Sequence, residues 1–340
     1  MKVIVIKKSL RIISTIDLSL NSTHNRCYSA VKYDTSIANV YAFALTPELK
    51  RISIAMIAFT LATHQNNFLY LAKKLFIFLA ILLLVSACQT TRNTQPFAWP
   101  QGAIVTTSNF KHMVLIQGEK NTSRLHVYIE GDGRPFSNRF RISTDPSPRH
   151  PLMLELMAKD KTASLYLGRP CYFTLSNPLM ADEQCNFLWW TDARYSDAVV
   201  NSMIDALRQH LKKYAFQGVT LIGHSGGGTL AMLMSERMPE VDQLVTLAGN
   251  LDTEAWARYH HFTQLRNSLN PATTIKTAKP VKQLHFMGQK DDNIPPSLGQ
   301  NFLTQIGQQG KVIEGFDHSC CWSSRWQELL VEINQQQNEN

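Results

Sequence analysis

An α/β fold, with a mainly parallel central sheet and helices on both faces, is what this sequence predicts, and three observations carry the prediction. Short apolar runs at residues 112–116, 125–129, 163–167, 219–222, 244–247, 284–287 and 312–313 have the length of strands. Apolar residues at helical spacing fall between and after them. Val200, Met203, Leu207 and Leu211 follow Ser196, a good N-cap, and Trp326, Leu329, Leu330 and Ile333 repeat the pattern near the end. Strands separated by helices can pair in parallel, because a parallel crossover needs a dozen or more residues, and such a sheet is covered on both faces. The third observation is composition: 44% hydrophobic and 18% charged residues exclude a disordered chain, and the 253 residues after Ala87 can bury one large core.

The net charge of +8 suggests a polyanion-binding surface until it is divided along the chain. Residues 1–87 hold 10 basic and 3 acidic side chains, which leaves 24 and 23 behind them, so nucleic acid is not an expected partner. Lys73 and Lys74 precede an 11-residue apolar run, residues 75–85, which ends in Ser86, Ala87 and Cys88. That is the charged, apolar and small-residue order of a secretory signal, and the run is too short for a bilayer crossing, which takes about 20 residues. Val85-Ser86-Ala87-Cys88 resembles the bacterial lipobox, which implies a diacylated Cys88 as the mature N-terminus. Gln89 after it, rather than Asp, resembles lipoproteins sorted to the outer membrane, so the expected location is the cell envelope, facing the periplasm. Residues 1–87 are therefore expected to be a leader: 71–87 the signal, and 1–70 an upstream extension ahead of a true start at Met56 or near Leu71. Residues 88–100, polar with two prolines, read as a tether, 101–334 as the folded domain and 335–340 as a disordered Gln/Asn tail. The sequence contains no internal repeat.

The chemistry is concentrated in three segments. Gly223-His224-Ser225-Gly226-Gly227 lies between an apolar run and a helical stretch, the context of a nucleophile elbow, in which glycines allow a sharp turn that presents the Ser225 hydroxyl. A serine needs a base to take its proton and a carboxylate to orient that base. Both follow in the order Ser, Asp, His. Gly288 to Pro295 contains Asp291 and Asp292, and Glu314 to Trp322 contains His318. These segments resemble the α/β-hydrolase superfamily, whose acid turn often reads G-x-x-D-x-x-V-P and whose histidine often sits in G-x-x-H ahead of the last helix. The resemblance implies the α/β-hydrolase fold with a short cap insertion, and a triad of Ser225, Asp291 and His318, with Asp292 as the alternative acid.

The oxyanion formed on attack needs two backbone donors. The resemblance implies Gly226, which follows the nucleophile, and a donor from Tyr128-Ile129-Glu130-Gly131-Asp132-Gly133, similar to the superfamily's H-G-x-G turn with Glu130 in place of its His. Asp132 is the expected donor. That loop lacks the Lys of a phosphate-binding loop, so no nucleotide is expected. Cys171, Cys185, Cys320 and Cys321 suit an exported, oxidising setting. Cys171–Cys185 is the preferred bridge, contributing about 3 kcal/mol on the loop-entropy argument, while Cys320 and Cys321 either close on each other or bond elsewhere. Without a C-x-x-C pair no zinc site is expected, and His260 and His261, about 100° apart on a helix, do not suit one metal. Trp189, Trp190 and Trp256 could line a pocket but are more often core. Arg169-Pro170-Cys171, the stretch through Arg194, Leu251 to Trp256 and Ser268 to Pro271 also resemble exported bacterial α/β-hydrolases of uncharacterised substrate.

The expected function is that of a serine hydrolase of carboxylesterase type, with an acyl-enzyme intermediate and no cofactor or metal. It would act on a small-molecule or lipid acyl substrate and meet the membrane through Cys88. A non-catalytic binding or scaffold lipoprotein and an acyltransferase with the same triad are the alternatives. The sequence leaves oligomeric state open.

Overall fold

The computed structural model describes residues 2–5, 14–17, 74–76 and 102–338, apart from 119–122, 139, 215 and 278–279. Most of the expected leader, Cys88 and the expected tether at 88–100 lie outside the described residues. The chain divides into two compact units, Met1–Asn93 and Thr94–Asn340. In the first, β1 (Lys2–Val5) and β2 (Ser14–Asp17) pair antiparallel. Among the described residues no helix is long and apolar enough to cross a membrane.

The second unit is built on an eight-stranded sheet. In chain order its strands are β3 (Ala103–Thr106), β4 (Lys111–Gln117), β5 (Arg124–Ile129), β8 (Ser164–Leu167), β9 (Gly218–His224), β10 (Val241–Leu247), β11 (Lys282–Gly288) and β12 (Gly310–Ile313). Across the sheet they lie in the order β12-β11-β10-β9-β5-β8-β4-β3. The six from β12 to β8 run parallel, and β4 and β3 are antiparallel to their neighbours. This is the α/β-hydrolase fold, and every predicted apolar run falls on a strand. A separate hairpin, β6 (Phe136–Asn138) with β7 (Arg141–Ile142), is exposed throughout; strands of three and two residues carry too little pattern to be read from sequence.

The helices are α1 (Leu152–Met157), α2 (Asp197–Leu211), α3 (Gly226–Ser235), α4 (Thr253–Tyr259), α5 (Pro271–Thr274), α6 (Pro296–Gln305) and α7 (Trp326–Asn338). Ser196 caps α2 as expected, its Oγ accepting from Val199 N–H. The predicted core-facing residues Val200, Met203 and Leu207 are buried. All ten residues of α3 are buried, as a helix packed directly behind the central strands must be. The insertion between β10 and β11 holds the short α4 and α5.

Of the expected disordered tail at 335–340, residues 335–338 require correction, because α7 stays helical through Asn338, while 339–340 lie outside the described residues. Gln243 carries a fully buried amide on β10, and a buried amide needs partners. The end of α7 supplies them: Gln243 Nε2 donates to Ile333 O at 2.9 Å and to Gln336 Oε1 at 3.1 Å, and Gln337 Nε2 donates to Gln243 Oε1 at 2.6 Å. The polar residues that read as a solvated tail are thus held against the sheet.

The parallel strands present the segments that follow their C-terminal ends on one edge, where an open α/β sheet places its chemistry. Asp132 follows β5, Arg169 follows β8, Ser225 follows β9, Asp291 follows β11 and His318 follows β12.

Candidate active site

Strand β9 ends at His224 and helix α3 begins at Gly226, so the whole reversal is made at Ser225, whose φ of 53° lies in the left-handed region. The turn is this tight because the flanking glycines meet: a Cβ on Gly223 would strike the backbone of Gly227, and one on Gly227 would strike the carbonyls of Ile129 and Glu130. Backbone bonds fix Ser225 on both sides, its N–H donating to Leu247 O at 2.9 Å and its carbonyl accepting from Asn250 N–H at 3.1 Å. Its hydroxyl makes no capping bond to α3 and faces outward instead.

His318 is the partner. Its Nε2 lies 3.0 Å from Ser225 Oγ and its Nδ1 lies 2.9 Å from Asp291 Oδ2. A carboxylate accepts only, so Nδ1 carries the proton and Nε2 is free to accept from the serine. Asp291 is 3% exposed, and its second oxygen accepts from Asn293 N–H at 3.0 Å and Ile294 N–H at 2.8 Å. Of the two acids the sequence left open, the structure brings Asp291 to the histidine and leaves Asp292 exposed. Two buried rings hold the backbone of His318: His224 Nε2 donates to its carbonyl at 2.8 Å and Trp322 Nε1 does so at 3.2 Å. Burial, aided by the nearby His318, lowers the His224 pKa to about 3, which keeps this donor neutral.

The Glu130–Gly133 loop passes directly over Ser225, with a Cβ on Gly131 falling 3.3 Å from that of Ser225. Among the described residues, the N–H groups of Gly226 and Asp132 have no protein acceptor. Glu130, which stands where the superfamily's turn usually has His, accepts from Gly131 N–H at 3.3 Å and from Met153 N–H at 3.1 Å. Burial pushes its pKa up to about 8, so a neutral carboxyl ties the loop to the start of α1.

Ser225 and His318 open onto a cleft of about 1640 Å³, walled by Phe136, Leu152, Trp256, Phe262 and Ile294 among others. That exceeds the roughly 300–1,000 Å³ of a drug-sized pocket. His260 and His261 also line it; His260 Nε2 lies 2.7 Å from Asn293 O, and its ring stacks on Phe262. Trp190 is core, and Trp189 packs edge-on against Phe110. Among the described residues no group of three or more His, Cys, Asp or Glu side chains could hold a metal ion. Cys171 is bonded to Cys185, with Cα atoms 5.4 Å apart, and Cys320 is bonded to Cys321.

Sequence reasoning missed His224, Arg169, Arg194 and Tyr195. Three of them surround Asp132, and the signal that could have found Arg169 is its place just past the end of β8, the strand beside β5.

Residues 153–319 match the family described as serine hydrolase (FSH1), a span that runs from α1 through Ser225 and Asp291 to just past His318. Similar solved structures include a putative α/β hydrolase from Agrobacterium tumefaciens, 12% identical over 69% of this chain and 93% of that one, with a TM-score of 0.47. An esterase from Pyrococcus furiosus is 11% identical over 68% and 88%, with a TM-score of 0.47. An α/β serine hydrolase homologue from Coxiella burnetii is 13% identical over 69% and 95%, with a TM-score of 0.44. No curated protein matches the sequence.

Proposed function

We propose that this chain, which belongs to the α/β-hydrolase superfamily and is a serine hydrolase, is a carboxylesterase-like enzyme that cleaves acyl esters through a covalent acyl-enzyme. The observation that carries the reading is the unbroken chain of hydrogen bonds from Asp291 through His318 to Ser225, opening onto an apolar cleft.

Ser225 Oγ attacks the ester carbonyl carbon as His318 Nε2 takes its proton, and the carbonyl π electrons move to oxygen. The oxyanion is received by the N–H groups of Gly226 and Asp132. Asp291 keeps the proton on Nδ1 and stabilises the imidazolium. Collapse of the tetrahedral intermediate breaks the bond to the alcohol, which leaves with the proton from His318. Water repeats the sequence on the acyl-serine: His318 takes its proton, the hydroxyl adds, and Ser225 departs reprotonated.

The aromatic and aliphatic walls of the cleft favour an apolar acyl group, and its size favours a substrate larger than a simple acetate ester. The Val85-Ser86-Ala87-Cys88 motif extends the proposal to a lipid-anchored enzyme of the outer membrane facing the periplasm. Hydrolysis of a chain-length series of p-nitrophenyl esters tests the activity, alongside Ser225→Ala and His318→Ala. Turnover that rises with chain length and vanishes in both variants supports the reading. A folded wild type with no turnover and no reaction with a fluorophosphonate overturns it in favour of a binding protein. Release of p-nitrophenol with ester rather than acid as product would assign acyl transfer.

A further inference from the structure

Both carboxylate oxygens of Asp132 are engaged. Its Oδ1 accepts from Arg169 Nη1 at 2.5 Å, and its Oδ2 accepts from Arg194 Nη1 at 2.8 Å and from the Tyr195 hydroxyl at 2.6 Å. The Tyr172 hydroxyl donates to its backbone carbonyl at 3.0 Å. Both guanidiniums are out of water, with side-chain exposures of 1% for Arg169 and 7% for Arg194. They are fixed in turn: Arg194 Nε donates to Thr191 O at 2.5 Å, Arg169 Nη2 donates to Arg194 O at 3.3 Å, and Arg169 sits over the Tyr172 and Tyr195 rings at 5.1 and 5.6 Å. Burial alone would raise the Asp132 pKa, but Arg194 and Arg169 outweigh it and hold the carboxyl well below the usual carboxylate range, ionised at any working pH.

A buried ionic cluster of this kind is weak evidence for stability, because desolvating the charges offsets their attraction. Its position is informative. A Cβ added to Gly226 would land on the Asp132 carboxylate and the Tyr195 hydroxyl, so the carboxylate lies against the backbone of the residue that follows the nucleophile. Asp132 therefore touches both oxyanion-hole strands of chain: it belongs to one, and its side chain packs on the other. Two guanidiniums also face one carboxylate, which leaves a fixed positive surplus beside the point where negative charge develops.

We infer that Asp132 is a positioning residue whose carboxylate, clamped by Arg169, Arg194 and Tyr195, sets the spacing of the Asp132 and Gly226 N–H groups, so that this cluster determines how well the enzyme stabilises an oxyanion. The inference rests on the serine-hydrolase reading. It predicts that damage to the clamp appears in the transition state and leaves ground-state binding unchanged. An Asn at 132 cannot serve both sides, since in either orientation its NH2 would face a guanidinium, Arg169 on one side or Arg194 on the other, and a guanidinium only donates.

The test compares wild type, Asp132→Asn and Tyr195→Phe on a p-nitrophenyl ester and on the matching thionoester, whose developing sulfur anion fits an oxyanion hole poorly. Tyr195→Phe removes one hydroxyl and keeps the ring, so it guards against a folding failure at 132. The expected result is a kcat for the ester lower by roughly 100-fold in Asp132→Asn and roughly 10-fold in Tyr195→Phe, with KM within about twofold. The ester-to-thionoester rate ratio should fall by a similar factor in each. Variants that are folded and active with an unchanged ratio, or a loss confined to KM, would overturn the clamp while leaving the serine-hydrolase reading intact. Absence of Ser225-dependent turnover in the wild type would overturn both.

Discussion

Two serine–histidine hydrogen bonds lie among the described residues, and the shorter of them is not the one at the proposed active site. Ser202 Oγ is 2.7 Å from His112 Nε2, whereas Ser225 Oγ is 3.0 Å from His318 Nε2. In each pair an acceptor on Nδ1 leaves Nε2 free to accept from the serine: Gly168 O at 2.9 Å for His112 and Asp291 Oδ2 at 2.9 Å for His318. The acceptor is where they part. A carboxylate stabilises the imidazolium that forms when serine is deprotonated, and a neutral carbonyl does so far less. Their surroundings differ as well. His112 is fully buried, and burial lowers its pKa to about 4, too weak a base for a serine near neutral pH. Ser202 sits on α2 and shares its hydroxyl with Thr107 Oγ1 at 2.7 Å, which ties that helix to the segment before β4. Ser225 is held at a strained turn beside free N–H donors and a cleft. What sets the proposed catalytic pair apart is thus the acid behind it and the space in front of it.

The largest effect that separates the pairs is loss of the proposed nucleophile or base. Ser225→Ala or His318→Ala should lower kcat by roughly 10⁴-fold or more with thermal stability little changed, whereas Ser202→Ala should leave kcat nearly intact, as steady-state kinetics beside thermal melts will show. Next is the acid. Asp291→Asn reduces the triad's acceptor to something like that of the buried pair, and kcat should fall by about 10⁴-fold. Retention of more than a tenth of wild-type activity would mean that the carboxylate is not what distinguishes the two sites.

The buried pair should instead reveal itself in acid. The pKa of folded His112 lies below that of the unfolded chain, 6.5 against about 4. The unfolded state therefore binds the extra proton first, and stability falls as pH drops from about 6.5 to about 4, by on the order of 3 kcal/mol for this residue. His285, lowered by burial to about 4, adds to the same slope. Glu130 acts in the opposite direction: with a folded pKa raised to about 8, it favours the fold at low pH and loses that contribution as pH rises toward 8. Urea unfolding from pH 4 to 9 should show His112→Gln with a shallower acid limb and Glu130→Gln with a shallower alkaline one. The smallest effect is Ser202→Ala itself. It leaves His112 Nε2 and Thr107 without their shared partner and should cost about 1–3 kcal/mol; a change below a few tenths would show that the second pair holds nothing together.

Much of this was readable in the sequence because the signals are local. Ser196 announces α2, the seven apolar runs announce strands, and Gly223, Ser225 and Gly227 occur where a strand must turn sharply into a helix. The chain order Ser225, Asp291, His318 added direction. The reading failed where local character misled: Gln336 and Gln337 look like tail residues, yet they satisfy the buried amide of Gln243. The β6–β7 hairpin was too short to show a period.

The sequence by itself determined the alternation of strands and helices, the nucleophile elbow and the candidate members of the triad, since each depends on residue types within a few positions of one another. Only the tertiary structure chose Asp291 over Asp292, closed Cys320 on Cys321 and gathered Arg169, Arg194 and Tyr195 around Asp132. It alone told the serine–histidine pair that faces a cleft from the one sealed in the core. Three of these outcomes turn on partners 27 to 93 residues apart along the chain. Burial and hydrogen-bond partnership at that range follow from where the strand ends converge, which no local pattern encodes.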